Sequence, residues 1–155
     1  MQLIDSAVKL RFDWTVYSVL TASANPPDLA FIVIDAEAGL SPDSSIFDTY
    51  ELLRLLDIPM ALLINKIDQA STEIISDLLE KLSEGIGESR TLNLYDESSS
   101  EKEDGDEDTS RMIPVLLVST VTGQFLPTLT SFLHKWKRPV EQSKMHDSFI
   151  YAKES

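Results

Sequence analysis

The sequence predicts an α/β fold of the doubly wound kind, a mostly parallel sheet flanked by helices. Three observations lead there. Continuous apolar runs recur at 29–34, 60–64 and 113–118, and a strand with no polar alternation must be covered on both faces. Between them, apolar residues repeat at three and four positions, the spacing of a helix with one buried stripe. Proline, glycine and serine mark the joins, so strand and helix alternate along the chain.

Residues 2–5 read as the end of a strand, and 8–20 as a helix with Val8, Phe12, Val16, Val19 and Leu20 near one face. Pro26 and Pro27 place a loop, because proline removes an N–H and clashes mid-helix. The run at 29–34 turns at Asp35 to Gly39, and Ser41 with Pro42 forms a helix start. That helix is expected to reach about Leu56, apolar at Ile46, Phe47, Tyr50 and Leu53, and Ile58-Pro59 leads into the strand at 60–64. Ser71 and Glu73 open the next helix, with Ile74, Ile75, Leu78, Leu79 and Leu82 on its buried stripe. Gly85 and Gly87 are expected to stop it.

From there to Ser110 the composition shifts to serine, glycine and acids, so 88–110 is expected to be a disordered acidic insert that cannot bury enough surface to order itself. The run at 113–118 is the next strand. Phe125, Leu129, Phe132, Leu133 and Trp136 form a last amphipathic helix, with Pro127 in its first turn and Thr122 as its expected cap. Residues 1–136 thus read as one partial domain. Residues 137–155 read as a linker, with Phe149-Ile150-Tyr151 as the start of a truncated β-barrel domain.

Bulk composition excludes several function classes. There is no cysteine, which removes disulfides and thiolate metal sites, and His134 and His146 match no zinc spacing. No apolar run approaches a membrane span, so a cytoplasmic chain without membrane contact is expected. The net charge of −13 argues against a general nucleic-acid footprint. Residues 96–108 alone carry eight carboxylates against Lys102. A solvated insert is the main reading of that stretch, and docking of a basic protein surface is the other.

Met60-Ala61-Leu62-Leu63-Ile64 ends in Asn65-Lys66-Ile67-Asp68, at the end of a strand where open α/β sheets bind ligands. This is the Asn-Lys-x-Asp pattern with which GTPases read guanine. A carboxylate there accepts from guanine N1–H and the N2 amine together, a match adenine does not offer, and the wrong base leaves buried polar groups unpaired. Asn65 is expected to brace the loop and the Lys66 stem to lie over the base. Ser119-Thr120-Val121-Thr122-Gly123 follows the next strand, where a second loop meets the same base. The Thr120 N–H is expected to donate to guanine O6, with Ser119 holding the turn. A capped strand-to-helix turn without any ligand explains the same residues and stays open at this point.

With these motifs the chain resembles the translational GTPases, the elongation-factor-Tu-like class. Segments 27–39, 58–68 and 113–133 look like its consecutive strands and loops. Val121-Thr122-Gly123 looks closest to the eukaryotic GTP-binding-protein subfamily similar to elongation factor 1-alpha. The resemblance implies a GTPase-like G domain, with GTP or GDP held by Asn65, Lys66, Asp68, Ser119 and Thr120, and alanine usual where Thr120 stands. It also implies guanine nucleotide as ligand, and ribosome- or RNA-linked factors as partners through a parent protein.

The departures are equally legible. No segment matches Gly-x-x-x-x-Gly-Lys-Ser/Thr, whose strand and loop the resemblance places before residue 1. Asp5-Ser6-Ala7-Val8-Lys9 stands where the family has Asp-x-x-Gly-His. Asp5 is then the implied Mg²⁺ residue, while Val8 replaces a glycine and Lys9 reads as a surface lysine. Phosphoryl transfer rests on positioning and cationic stabilisation of phosphates, so hydrolysis is expected of a longer family protein rather than of this stretch alone. A pseudo-GTPase interaction module is the alternative.

Overall fold

The computed structural model describes residues 27–40, 45–88, 90–96 and 111–136. The expectations for 2–5, 8–20, Ser41, Pro42, Asp5, most of the acidic insert and the tail beyond Trp136 lie outside the described residues. The elements are β1 (Ala30–Asp35), α1 (Ile46–Leu55), β2 (Met60–Asn65), a 3-10 turn (Ile67–Gln69), α2 (Thr72–Ile86), β3 (Thr91–Leu94), β4 (Met112–Leu117) and α3 (Leu126–Lys135). The four strands form one sheet in the order β1-β2-β4-β3, with every neighbouring pair parallel.

Side chains alternate across this sheet, and each set meets its own helices. On one face Ile32, Ile34, Met60, Leu62, Ile64, Ile113 and Val115 pack with Tyr50 and Leu53 of α1 and with Leu78, Leu82 and Ile86 of α2. On the other, Ala61 and Leu116 receive Phe132 of α3. Helices on both faces make the sheet doubly wound, and β1, β2 and β4 carry uninterrupted apolar runs, with Val33 of β1 left exposed. Phe132 is the hub of the second face, with ring centroids 5.0 Å from Tyr95, 5.6 Å from Trp136 and 6.1 Å from Phe31. Pro114 sits within β4, and the β2–β4 ladder begins one residue later at the Leu62–Val115 pair. The missing proline N–H therefore costs that ladder nothing.

Two local features differ from the sequence-based expectation. The first is β3, which lies in the stretch read as a disordered insert. Its four residues are mostly exposed, so no apolar run announces it. It forms by adding a parallel edge to β4, from Thr91–Met112 to Leu94–Val115. The second is Gly85, which does not stop the helix. The helix continues to Ile86 and ends at Gly87, where φ is +76° and the N–H closes on the Ser83 carbonyl.

Gly85 instead makes room for a neighbour. A Cβ there would run into the Phe47 ring at Cε1 and Cζ, and Phe47 is part of the packing around the first core. Gly85→Ala is therefore expected to lower the urea midpoint, because overpacking of about 1–3 kcal/mol exceeds the roughly 1 kcal/mol that alanine adds to a helix. Phe47→Leu in the same chain should recover the loss. A higher midpoint for Gly85→Ala alone contradicts the notch.

Candidate functional site

Three strand ends converge on one rim of the sheet. Asp35 closes β1, Asn65 closes β2, and Ser119 lies just beyond β4. Asp35 and Asn65 are register partners. Backbone bonds extend the ladder into the turns: Ala36 N–H donates to the Asn65 carbonyl at 2.9 Å, Val118 N–H to Ile64 at 2.8 Å, and Ile67 N–H to Val118 at 3.4 Å. The turns after β2 and β4 thus share one edge before any side chain contributes.

Asn65 ties them further. Its Oδ1 accepts the Lys66 N–H at 2.8 Å and the Thr120 N–H at 3.2 Å, across 55 residues of sequence. Thr120 Oγ1 lies 3.4 Å from both Oδ1 and Nδ2 of Asn65, so the threonine side chain rests against the asparagine. The Thr120 N–H that the sequence reading offered to guanine O6 is thus donated within the protein.

Ser119 is fully buried, and its Oγ accepts the Thr122 N–H at 3.1 Å. The Gly123 N–H donates back to the Ser119 carbonyl at 2.9 Å, with Gly123 at φ +79°, a region that suits a residue without Cβ. Thr122 does not cap α3. Its Oγ1 accepts the Gln124 N–H at 3.3 Å, and the residue at the N-cap is Phe125, with no side-chain cap bond. Thr122 stands three residues too early to reach the first free N–H groups of the helix.

Lys66 adopts a left-handed backbone, φ +62° and ψ +34°. That conformation costs a residue with a Cβ about 1–2 kcal/mol, and two contacts retain it. One is the Asn65 side chain. The other is Asp35, whose Oδ2 pairs with Lys66 Nζ at 2.5 Å. Asp35 Oδ1 is itself held by the N–H groups of Glu37 (3.0 Å) and Ala38 (3.2 Å). The Lys66 ammonium holds the Asp35 carboxyl below the usual carboxylate range, and the two backbone donors act in the same sense. The same hydrogen bond raises Lys66 above the ordinary lysine value.

Asp68 lies in the short 3-10 turn, exposed, while its neighbour Ile67 is buried and pins the turn to the core. The structure therefore brings Asn65, Lys66 and Thr120 into one bonded network, while Ser119 holds the turn that carries Thr120 and the exposed Asp68 lies two residues beyond Lys66. Asp35 was not among the residues the sequence singled out. Its signal, an acid ending an apolar strand, acquires meaning only with the register that sets it opposite Asn65. Asp5 lies outside the described residues. Among those described, no group of three or more His, Asp or Glu side chains is placed to hold a metal ion, and no helix is long and apolar enough to cross a membrane.

Over residues 9–139 the chain matches the family described as the Elongation factor Tu GTP binding domain. The chain belongs to this translational GTPase family. Among solved structures, translation elongation factor SelB from Methanococcus maripaludis, apo form, is similar in fold. It is 22% identical with a TM-score of 0.50, over 80% of this chain and 24% of that one. GDP-bound aIF5B from Aeropyrum pernix is also similar, at 22% identity and a TM-score of 0.46, over 68% of this chain and 20% of that one. The chain thus spans a quarter or less of the length of either protein. A search of curated proteins finds no match. The parallel four-stranded sheet flanked by helices is an α/β architecture similar to the G domain of translational GTPases.

Proposed function

We propose that this chain recognises guanine nucleotides, as the base-binding part of the G domain of a translation-factor-like GTPase. Asp68 accepts from N1–H and the N2 amine, the Lys66 stem covers one face of the base, and the Thr120 N–H turns to O6. Asn65 and Ser119 hold the two loops that carry these groups. The observation that supports this most strongly is the Asn65 amide oxygen, shared between the N–H groups of Lys66 and Thr120. It keeps two loops distant in sequence at a common rim, where a planar base can meet both. In this reading O6 competes with Asn65 Oδ1 for the Thr120 N–H.

The donor set among the described residues fits the base. Guanine offers two or three hydrogen bonds at about 1–3 kcal/mol each, little more than the roughly 4 kcal/mol of a millimolar site. GTP hydrolysis, Mg²⁺ held through Asp5, ribosome- or RNA-linked partners and kinship with the elongation-factor-1-alpha-like subfamily are properties we assign to a longer family protein. A second reading, an interaction module that keeps the α/β body without productive nucleotide binding, is favoured by one fact. The Thr120 N–H already has an internal acceptor.

Titration with fluorescent GDP, displaced by unlabelled GDP or ADP, separates the two. Sub-millimolar binding displaced by GDP and not by ADP is expected. Equal displacement by ADP, or no binding, favours the interaction module.

A further inference from the structure

We propose that Asp35 is a positioning residue for guanine recognition: by anchoring Lys66 Nζ at the end of β1, it draws the lysine stem across the rim and keeps it off Asp68. This rests on the nucleotide reading above and names a residue outside the Asn-Lys-x-Asp motif. The geometry is direct. Lys66 leaves the chain at the end of β2, its ammonium reaches Asp35 Oδ2 at 2.5 Å, and Asp35 and Asn65 are opposite one another in the ladder. The four-carbon stem must therefore span the gap between two adjacent strand ends. Asp35 does not drift, because its second oxygen holds the turn through Glu37 and Ala38 N–H.

Two consequences follow for a bound base. A lysine with no anchor loses rotamer freedom when it settles over a ring, and that loss subtracts from affinity. Anchored at both ends, the stem is ordered beforehand. The other carboxylates that act on the Lys66 ammonium are Glu37 and Asp68. Without Asp35, Lys66 turns to them, and pairing with Asp68 occupies the carboxylate that guanine needs.

The test uses Asp35→Asn in the full chain, because asparagine keeps an Oδ1 acceptor for the 35–38 turn while removing the charge. Fluorescent GDP should bind roughly twofold to fivefold more weakly, the range of a solvent-exposed ion pair, with the thermal midpoint unchanged. In a Lys66→Met background the same substitution should have no effect, since its action passes through Lys66. Reductive ¹³C-methylation with NMR titration should show the Lys66 ammonium falling toward its ordinary value in Asp35→Asn. An equal loss in the Lys66→Met background, unchanged GDP affinity, or an unmoved Lys66 titration each overturns the proposal while leaving guanine recognition standing. Failure of the unaltered chain to bind GDP removes both, and is read independently of any Asp35 variant.

Discussion

Asp68→Asn is expected to reverse the base preference of this chain without changing its stability. In the function we propose, the carboxylate accepts from two donors of guanine, and hydrogen bonds to a charged acceptor contribute about 1.5–3 kcal/mol each. An asparagine in its place keeps one acceptor and turns a donor toward the N2 amine, so GDP affinity should fall by roughly 10- to 100-fold. Xanthine carries an oxygen where guanine has that amine, and the asparagine NH₂ meets it. Xanthosine diphosphate should then bind the variant about as well as GDP binds the unaltered chain. Asp68 is exposed, so the unfolding midpoint should stay within the ±0.5 kcal/mol of ordinary surface changes. Competition titrations with the two diphosphates read the reversal, and an unchanged order of affinities removes Asp68 from the pocket.

Leu82→Ala is expected to act in the opposite sense, on stability throughout. Leu82 is fully buried in the core between α2 and the sheet. Truncating a leucine at such a site costs about 2–5 kcal/mol, the transfer term plus the cavity left behind. Against the 5–15 kcal/mol of a typical domain, that is a large fraction, and urea unfolding should show it as a lower midpoint with little change in slope. A loss under about 1 kcal/mol would mean that α2 is not seated on the sheet as described.

The two substitutions also mark what the residues alone disclosed. The three long strands were legible because a sheet packed by helices leaves an unbroken apolar signature, and the stripes of α2 and α3 were legible at helical spacing except at Ile74 and Phe125, which are exposed, Phe125 at the N-cap rather than within α3. β3 was not, since Thr91, Asn93 and Leu94 are exposed and only the free edge of β4 orders them. Gly85 misled for a related reason. A glycine near a helix end reads as a stop, and its actual role depends on Phe47, which lies on another helix.

The same division runs through the site. Asn65, Lys66, Asp68 and the Ser119–Thr120 pair stood out by type and order. The Asp35–Lys66 pair and the Asn65–Thr120 bond depend on strand register, which spacing along the chain does not carry. Thr120 illustrates the limit. Its side chain, where the family usually has alanine, rests on Asn65.

In the function we propose, the turns following β2 and β4 together form the base half of a guanine pocket. Backbone and asparagine side-chain amide NMR during GDP titration tests it most directly. The amides of Lys66, Asp68 and Thr120 and the Asn65 Nδ2 protons are expected to shift together with one dissociation constant, and ADP to leave them in place. Shifts confined to another part of the sheet, or identical responses to GDP and ADP, would contradict it.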